Sequence, residues 1–223
     1  MNYQIAIDGP SGTGKSTIAK TLAKKLSFIY IDTGAMYRAV ALYCYRNGID
    51  TSNEEAVVNS LDNIDINIFY KDGVQEIELN NEIVSKEIRE NHISKLSSIV
   101  SAYKDVRAMM VKIQRKLSSN NSVIMDGRDI GTVVLPNANL KIYMTVDDEV
   151  RAQRRYQELI EKGQDVTLEK VKQDLKERDY RDINRDISPL RKADDAIVVD
   201  NTNCTIDEIV DKICNLFKEK VGI

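Results

Sequence analysis

The sequence predicts an α/β fold, a five-stranded parallel sheet covered by helices on both faces. Three observations lead to it. Five short, near-continuous apolar runs read as buried strands, at residues 3–8, 28–31, 123–126, 140–146 and 196–199. The stretches between them carry apolar residues at helical spacing. The first run also feeds directly into a glycine-rich turn and then a helix, the order in which a βα unit is built.

The elements follow in turn. After the first strand, Ile18, Ala19, Leu22, Ala23 and Leu26 keep one helical face. Residues 37–45 form a further helical stretch, and Asn47-Gly48 stops it as a C-terminal cap. Next the rhythm changes. Ile64, Ile66 and Ile68 alternate with Asp65 and Asn67, Asp72-Gly73 supplies a hairpin turn, and Ile77 and Leu79 alternate with Glu76 and Glu78. This half-polar pattern predicts a small antiparallel sheet with one wet face, inserted at about residues 60–95. Ile93, Leu96, Val100, Met110, Ile113 and Leu117 then run at helical spacing, as one helix or two. The last helix begins at a capping box, Thr205 with Glu208, and continues through Ile206, Ile209, Ile213 and Leu216. Pro10, Pro136 and Pro189 fall where elements should begin or end.

Composition narrows the function classes. The 223 residues suit one α/β domain, or a core with a small insertion, and 42% hydrophobic residues can build a core without staples. A formal net charge of -3 gives no general attraction to polyanions, so no nucleic-acid partner is expected and any nucleotide chemistry must rest on local basic groups. Cys44, Cys204 and Cys214 lack metal-site spacing and read as small buried side chains in apolar stretches. Met1-Asn2-Tyr3-Gln4 lacks the basic region of a signal peptide, and no apolar run reaches membrane-spanning length. A cytoplasmic protein with no membrane partner is expected.

The chemistry begins where the first strand ends. Gly9, Pro10, Ser11, Gly12, Thr13, Gly14, Lys15 and Ser16 fit G-x-x-x-x-G-K-[ST], between a strand and a helix, with Thr17 following. Its glycines let backbone N–H groups curl around phosphates, and the helix N-terminus adds partial positive charge. Lys15 reaches the β- and γ-phosphates, and Ser16 can ligate Mg²⁺. ATP is the expected phosphoryl donor. Asp126 ends an apolar strand, and two readings stand for it: a residue near the magnesium, or a strand-end aspartate capping a turn.

Phosphate loops of this kind occur in kinases, GTPases and motors. No Asn-Lys-x-Asp segment for reading guanine occurs here, and a motor would be larger. The helix opening near Thr167 carries Leu168, Val171 and Leu175 on one face, and the same spacing leads on to Arg178, Asp182 and Arg185, with Arg181 beside them. One reading is a solvated end laced with Arg–Asp pairs. The other is a lid whose arginines, Arg178, Arg181 and Arg185, swing over bound phosphates and exclude water. Small size and these arginines together point to transfer onto a small molecule.

The chain resembles bacterial cytidylate kinases. The likeness lies in GPSGTGKS at 9–16, DTGAMYR at 32–38, GRDIGTVVLPNA at 127–138 and ERDYRDINRDISPLRKADDA at 177–196, and it spans most of the chain. It implies a P-loop nucleoside monophosphate kinase fold in a single kinase domain over residues 1–223. The core would lie at about 1–59 and 118–223, the acceptor-binding insert at about 60–95 and an arginine-rich lid at about 151–190. It implies ATP, Mg²⁺ and CMP or dCMP as ligands, and a monomer. Thr33, Arg38, Ser98, Arg107, Arg128, Asp129, Arg178, Asp182 and Arg185 match the family's acceptor-site positions; Lys15, Arg128, Arg178 and Arg185 are then the catalytic set. Thr33 and Asn184 stand where serine is common, and Leu135 where phenylalanine is common; none of these removes a charge.

The assignment fits the base. A carboxylate such as Asp129 can accept from the cytosine amine while Arg107 donates to a ring acceptor; uracil would set two acceptors face to face. Asp182 would take the ribose hydroxyls, and Arg38, Arg128 and Arg185 the acceptor phosphate. Structural ion pairs remain the other reading of Arg38 and Arg128, and an internal pair or turn cap that of Asp129. His92, off the apolar stripe, reads as a surface residue. Rival functions are a kinase for UMP, dTMP or shikimate, and a non-catalytic nucleotide sensor.

Overall fold

A computed structural model describes residues 2–71, 74–161 and 163–222. In chain order the strands and helices are β1 (Gln4–Asp8), α1 (Lys15–Leu26), β2 (Ile29–Asp32), α2 (Thr33–Arg46) and α3 (Glu54–Ser60). The antiparallel strands β3 (Ile66–Lys71), β4 (Val74–Leu79) and β5 (Glu82–Ile83) follow, then α4 (Asn91–Val100) and α5 (Lys104–Ser118). The chain closes with β6 (Val123–Gly127), β7 (Leu140–Thr145), α6 (Asp148–Glu161), α7 (Leu168–Asn184), β8 (Ile197–Asp200) and α8 (Ile206–Val221).

The five strands expected for the core form one sheet in the order β2-β6-β1-β7-β8. β1 lies between β6 and β7, parallel to both, with Asp8 opposite Gly127 and Tyr143 at its C-terminal end. Ligands of open α/β sheets gather at that end of the strands. The chain divides into two compact units, residues 1–30 with 118–223, and residues 31–117.

In the first unit Ile5, Ile7, Ile18, Leu22, Ile124, Ile142, Ile213 and Phe217 build the core. Tyr3 stacks on Phe28, and Phe217 meets both edge-on at 5.4 and 5.5 Å between centroids. The capping box at Thr205 and Glu208 is formed as expected. Two apolar readings at this helix need correcting. Ile206 is half exposed, because it occupies the first turn. Cys204 is exposed, since it lies outside the helix just before the cap; Cys44 and Cys214 are buried.

In the second unit, α2 packs with α4 and α5 through Met36, Val40, Leu42, Ile93, Val100 and Met110. The sheet β3-β4-β5 turns Ile66, Ile77 and Leu79 into this core. Its register pairs Ile66 with Leu79 and Ile68 with Ile77; Asp72-Gly73, the expected turn, lies outside the described residues. The long apolar stretch is two helices, broken at Ser101–Tyr103, where the backbone N–H groups turn back to Ser97, Ile99 and Val100. β5 carried no signal, being two residues long with both side chains exposed. His92 is half exposed beside Glu90 and Tyr45.

Candidate active site

Chain geometry makes the phosphate loop. Gly9 sits at φ 148°, and a Cβ there would meet the carbonyl oxygen of Met144 at 2.4 Å, so only glycine lets β1 turn away from β7 at this point. Gly14, at φ 82°, caps α1 in the left-handed region, and Lys15 and Ser16 become the first residues of the helix. Lys15 is buried, its ammonium donating to the carbonyl of Pro10 and, at 3.1 Å, to Thr13 Oγ1. Burial depresses the ability of Lys15 to hold its charge, and Arg128 and Arg178 press the same way against Asp126 and Asp8, so its pKa lies well below the usual lysine value. Asn201, buried after β8, braces the loop by donating to Thr13 O at 3.1 Å.

Asp126, the penultimate residue of β6, is buried. It accepts from Ser16 Oγ at 2.8 Å and from Tyr30 Oη at 2.7 Å. The carboxylate is thus tied to the loop's hydroxyl.

On α7, Val171 and Leu175 pack against Ala152 and Leu159 of α6. Towards the C-terminal end the same face turns ionic. Asp182, buried, accepts from Arg128 Nε at 2.7 Å, and Arg185 Nη2 stands 3.8 Å from Asp129 Oδ1. Burial alone would raise the Asp182 carboxyl, but Arg128, Arg178 and Arg185 together hold it below the ordinary carboxylate range. Asp182 in turn keeps Arg128 firmly charged despite burial. The stripe departs from its expected course in two ways. Arg181 is exposed, because its position faces away from α6. The helix ends at Asn184, so Arg185 is placed by an extended cap conformation (φ -66°, ψ 142°) and by its Nε donating to Ser188 O at 2.7 Å.

Arg151 and Asp179 were not singled out by spacing. Arg151 is buried on α6; it pairs with Asp179, reaches Ser11 O at 3.2 Å and Asp148 at 2.7 Å. Asp179 also accepts from the Ser11 N–H at 3.4 Å. Asp179 stands four residues after Leu175, on the same face of α7, which is the signal that could have found it.

The second unit holds the remaining expected residues. Thr33 opens α2 and is buried; the Asp32 carboxylate caps this helix at Ala35 N and also pairs with Arg38 at 3.1 Å. Arg38 therefore adopts the ion pair that was its alternative reading. Ser98 is buried on α4, and among the described residues its Oγ has no hydrogen-bond partner. Arg107, buried on α5, donates to Ser101 O at 2.9 Å and lies over the Tyr37 ring at 5.4 Å.

The model for the family described as cytidylate kinase matches residues 5–219. The chain belongs to the cytidylate kinase family. Relatives agree over nearly their whole length: a cytidylate kinase of Caldicellulosiruptor saccharolyticus is 50% identical over 98% of this chain and 96% of its own. One of Leuconostoc mesenteroides is 47% identical over 99% of both chains, and one of Clostridioides difficile 49% identical over 95% of this chain and 96% of its own. Among solved structures, a gluconokinase from Sinorhizobium meliloti superposes with a TM-score of 0.51 at 14% identity, covering 97% of this chain and 92% of its own. An uncharacterized protein from Eubacterium ventriosum reaches 0.56 at 14% identity, covering 98% and 99%. These last two share the fold. As a cytidylate kinase family member the chain is a phosphotransferase with a P-loop fold, and no helix among the described residues is long and apolar enough to cross a membrane.

Proposed function

We propose that this kinase transfers the γ-phosphoryl group of ATP to CMP or dCMP, giving ADP and CDP or dCDP. The observation that carries the reading is the family match over residues 5–219 on a chain whose phosphate loop holds a buried Lys15 at the start of α1. The acceptor phosphate is already an anion, so in-line attack needs no protein base. Lys15, Arg128, Arg178 and Arg185 hold the charge that spreads over the transferring group.

Thr33, Arg38, Ser98 and Arg107 complete the acceptor set in this reading, and Asp182 takes the ribose hydroxyls. The residues at the loop also fit Mg²⁺. Ser16 and Asp126 present hard oxygen donors, and magnesium in such enzymes keeps few protein ligands beside waters and phosphates. When bound it would neutralise charge on the β- and γ-phosphates. The enzyme acts as a cytoplasmic monomer in this reading, with small molecules rather than nucleic acid or membrane as partners.

The base is read by Asp129, which accepts from the cytosine amine. ADP formation over a panel of CMP, dCMP, UMP, dTMP and shikimate should favour the cytosine nucleotides. Asp129→Asn should lower kcat/KM for CMP and narrow its lead over UMP by roughly one to two orders of magnitude, since an amide can offer a donor to the uracil carbonyl. Equal losses for both acceptors would remove Asp129 from base reading.

A further inference from the structure

We infer that Asp8, outside the phosphate loop and the acceptor set, is a positioning residue that fixes the acceptor-selecting segment Arg128-Asp129 through the backbone that follows it. The inference rests on the reading that Asp129 recognises the base. Asp8 closes β1 and is buried. Its two carboxylate oxygens are spent on consecutive backbone donors: Oδ1 accepts from Ile130 N at 2.8 Å and Oδ2 from Gly131 N at 2.7 Å. These two residues immediately follow Asp129 and begin the single wide turn Ile130–Val134. Both donors belong to the first turn of a helix, where no intrahelical carbonyl can take them.

A bidentate clamp at this point sets where the preceding residues emerge. Asp129 has φ -143° and ψ 25°, outside both helix and strand, and its carbonyl closes the turn by accepting from Val133 N and Val134 N. Its backbone is therefore held on either side of its own side chain. The space around the clamp is tight: a Cβ on Gly131 would stand 3.3 Å from Asp8 Oδ2 and 3.1 Å from Lys141 Cδ. The charged and titratable neighbours are Lys15 from α1, Asp126 from β6, Asp129 from the turn, and Lys141 and Tyr143 from β7. The clamp joins the strand that leads into the phosphate loop to the segment that reads the acceptor.

Asp8→Asn keeps shape but sets an amide donor against one of the two N–H groups. We expect the ratio of kcat/KM for CMP over UMP to fall about fivefold or more, the worth of one hydrogen bond, with KM for CMP raised and KM for ATP unchanged. Gly131→Ala, which crowds the same carboxylate from the other side, should lower the ratio in the same direction and guards against a folding defect in the first variant. The deciding measurement repeats Asp8→Asn in an Asp129→Asn background. A shift in the native background that vanishes there supports action through Asp129. No shift in the native background, or an equal shift in both, overturns the inference. An unchanged ratio in Asp129→Asn alone would instead sink the base-reading assignment, so the two failures are separable.

Discussion

Lys15 shows how one side chain can be placed by local geometry and tuned by distant charge. The loop buries its amine, and Arg128 and Arg178 weaken its hold on a proton. In the proposed reaction its work is done on phosphate. Lys15→Ala should lower kcat by at least about a hundredfold to a thousandfold, as loss of one preorganised charge-stabilising donor does, while the KM for CMP changes far less. Steady-state kinetics on folded variant would check it; near-native turnover would remove the loop from catalysis. Asp8 offers a second test at this scale. Burial raises its carboxyl to about 6 from an ordinary 3.8, against the pull of the Gly131 and Ile130 N–H groups. Between those values the folded chain holds more protons than the unfolded one, so this group's stabilising contribution is full below about 4 and declines as pH rises through 6. The decline is on the order of 3 kcal/mol. Denaturant melts at pH 4 and pH 7 should show this decline in the stability of wild type relative to Asp8→Asn.

The helix α7 joins two kinds of surface along one face. Its first half is held by burial of Val171 and Leu175 against α6 and by the Thr167 cap on Lys170 N; its second half carries Arg178, Asp179 and Asp182. Apolar contacts keep the first half of the element in place, and the proposed reaction uses its ionic end for ligand. Arg178→Ala should therefore slow transfer by about a hundredfold or more while unfolding stability changes by about 1 kcal/mol. Thermal melts beside kcat would decide; loss of fold with normal activity per folded molecule would return α7 to the solvated-pair reading. Periodicity made the helix and its stripe legible, since burial repeats every three or four residues. It misplaced Arg181, which the helix turns outward, and it carried the helix one residue too far, to Arg185. Arg151 and Asp179 escaped it for a different reason: their mutual pair spans 28 positions, and both also meet Ser11, far away in the sequence.

For the whole chain, stability should concentrate where the first unit closes on itself. Phe217 is buried between Tyr3 and Phe28, so residues near both ends of the sequence meet around one ring. Phe217→Ala should cost about 3–5 kcal/mol by emptying that space, read as a lower midpoint in denaturant with an unchanged slope. A loss under about 1 kcal/mol would mean the cluster contributes little. By itself the sequence determined the five strands, the phosphate loop, the capped last helix and the family, because apolar runs, glycine geometry and caps are written in neighbouring residues; it misread β8 as buried, since at the sheet edge only Val199 of that strand is covered. Tertiary structure decided which charges meet. The pairing of Arg128 with Asp182, the tie of Asp126 to Ser16 and the hold of Asp8 on Ile130 and Gly131 each span more than fifty residues. The last two follow from strand order, which sets β1 beside β6 without regard to their separation along the chain, and the first from where α7 packs.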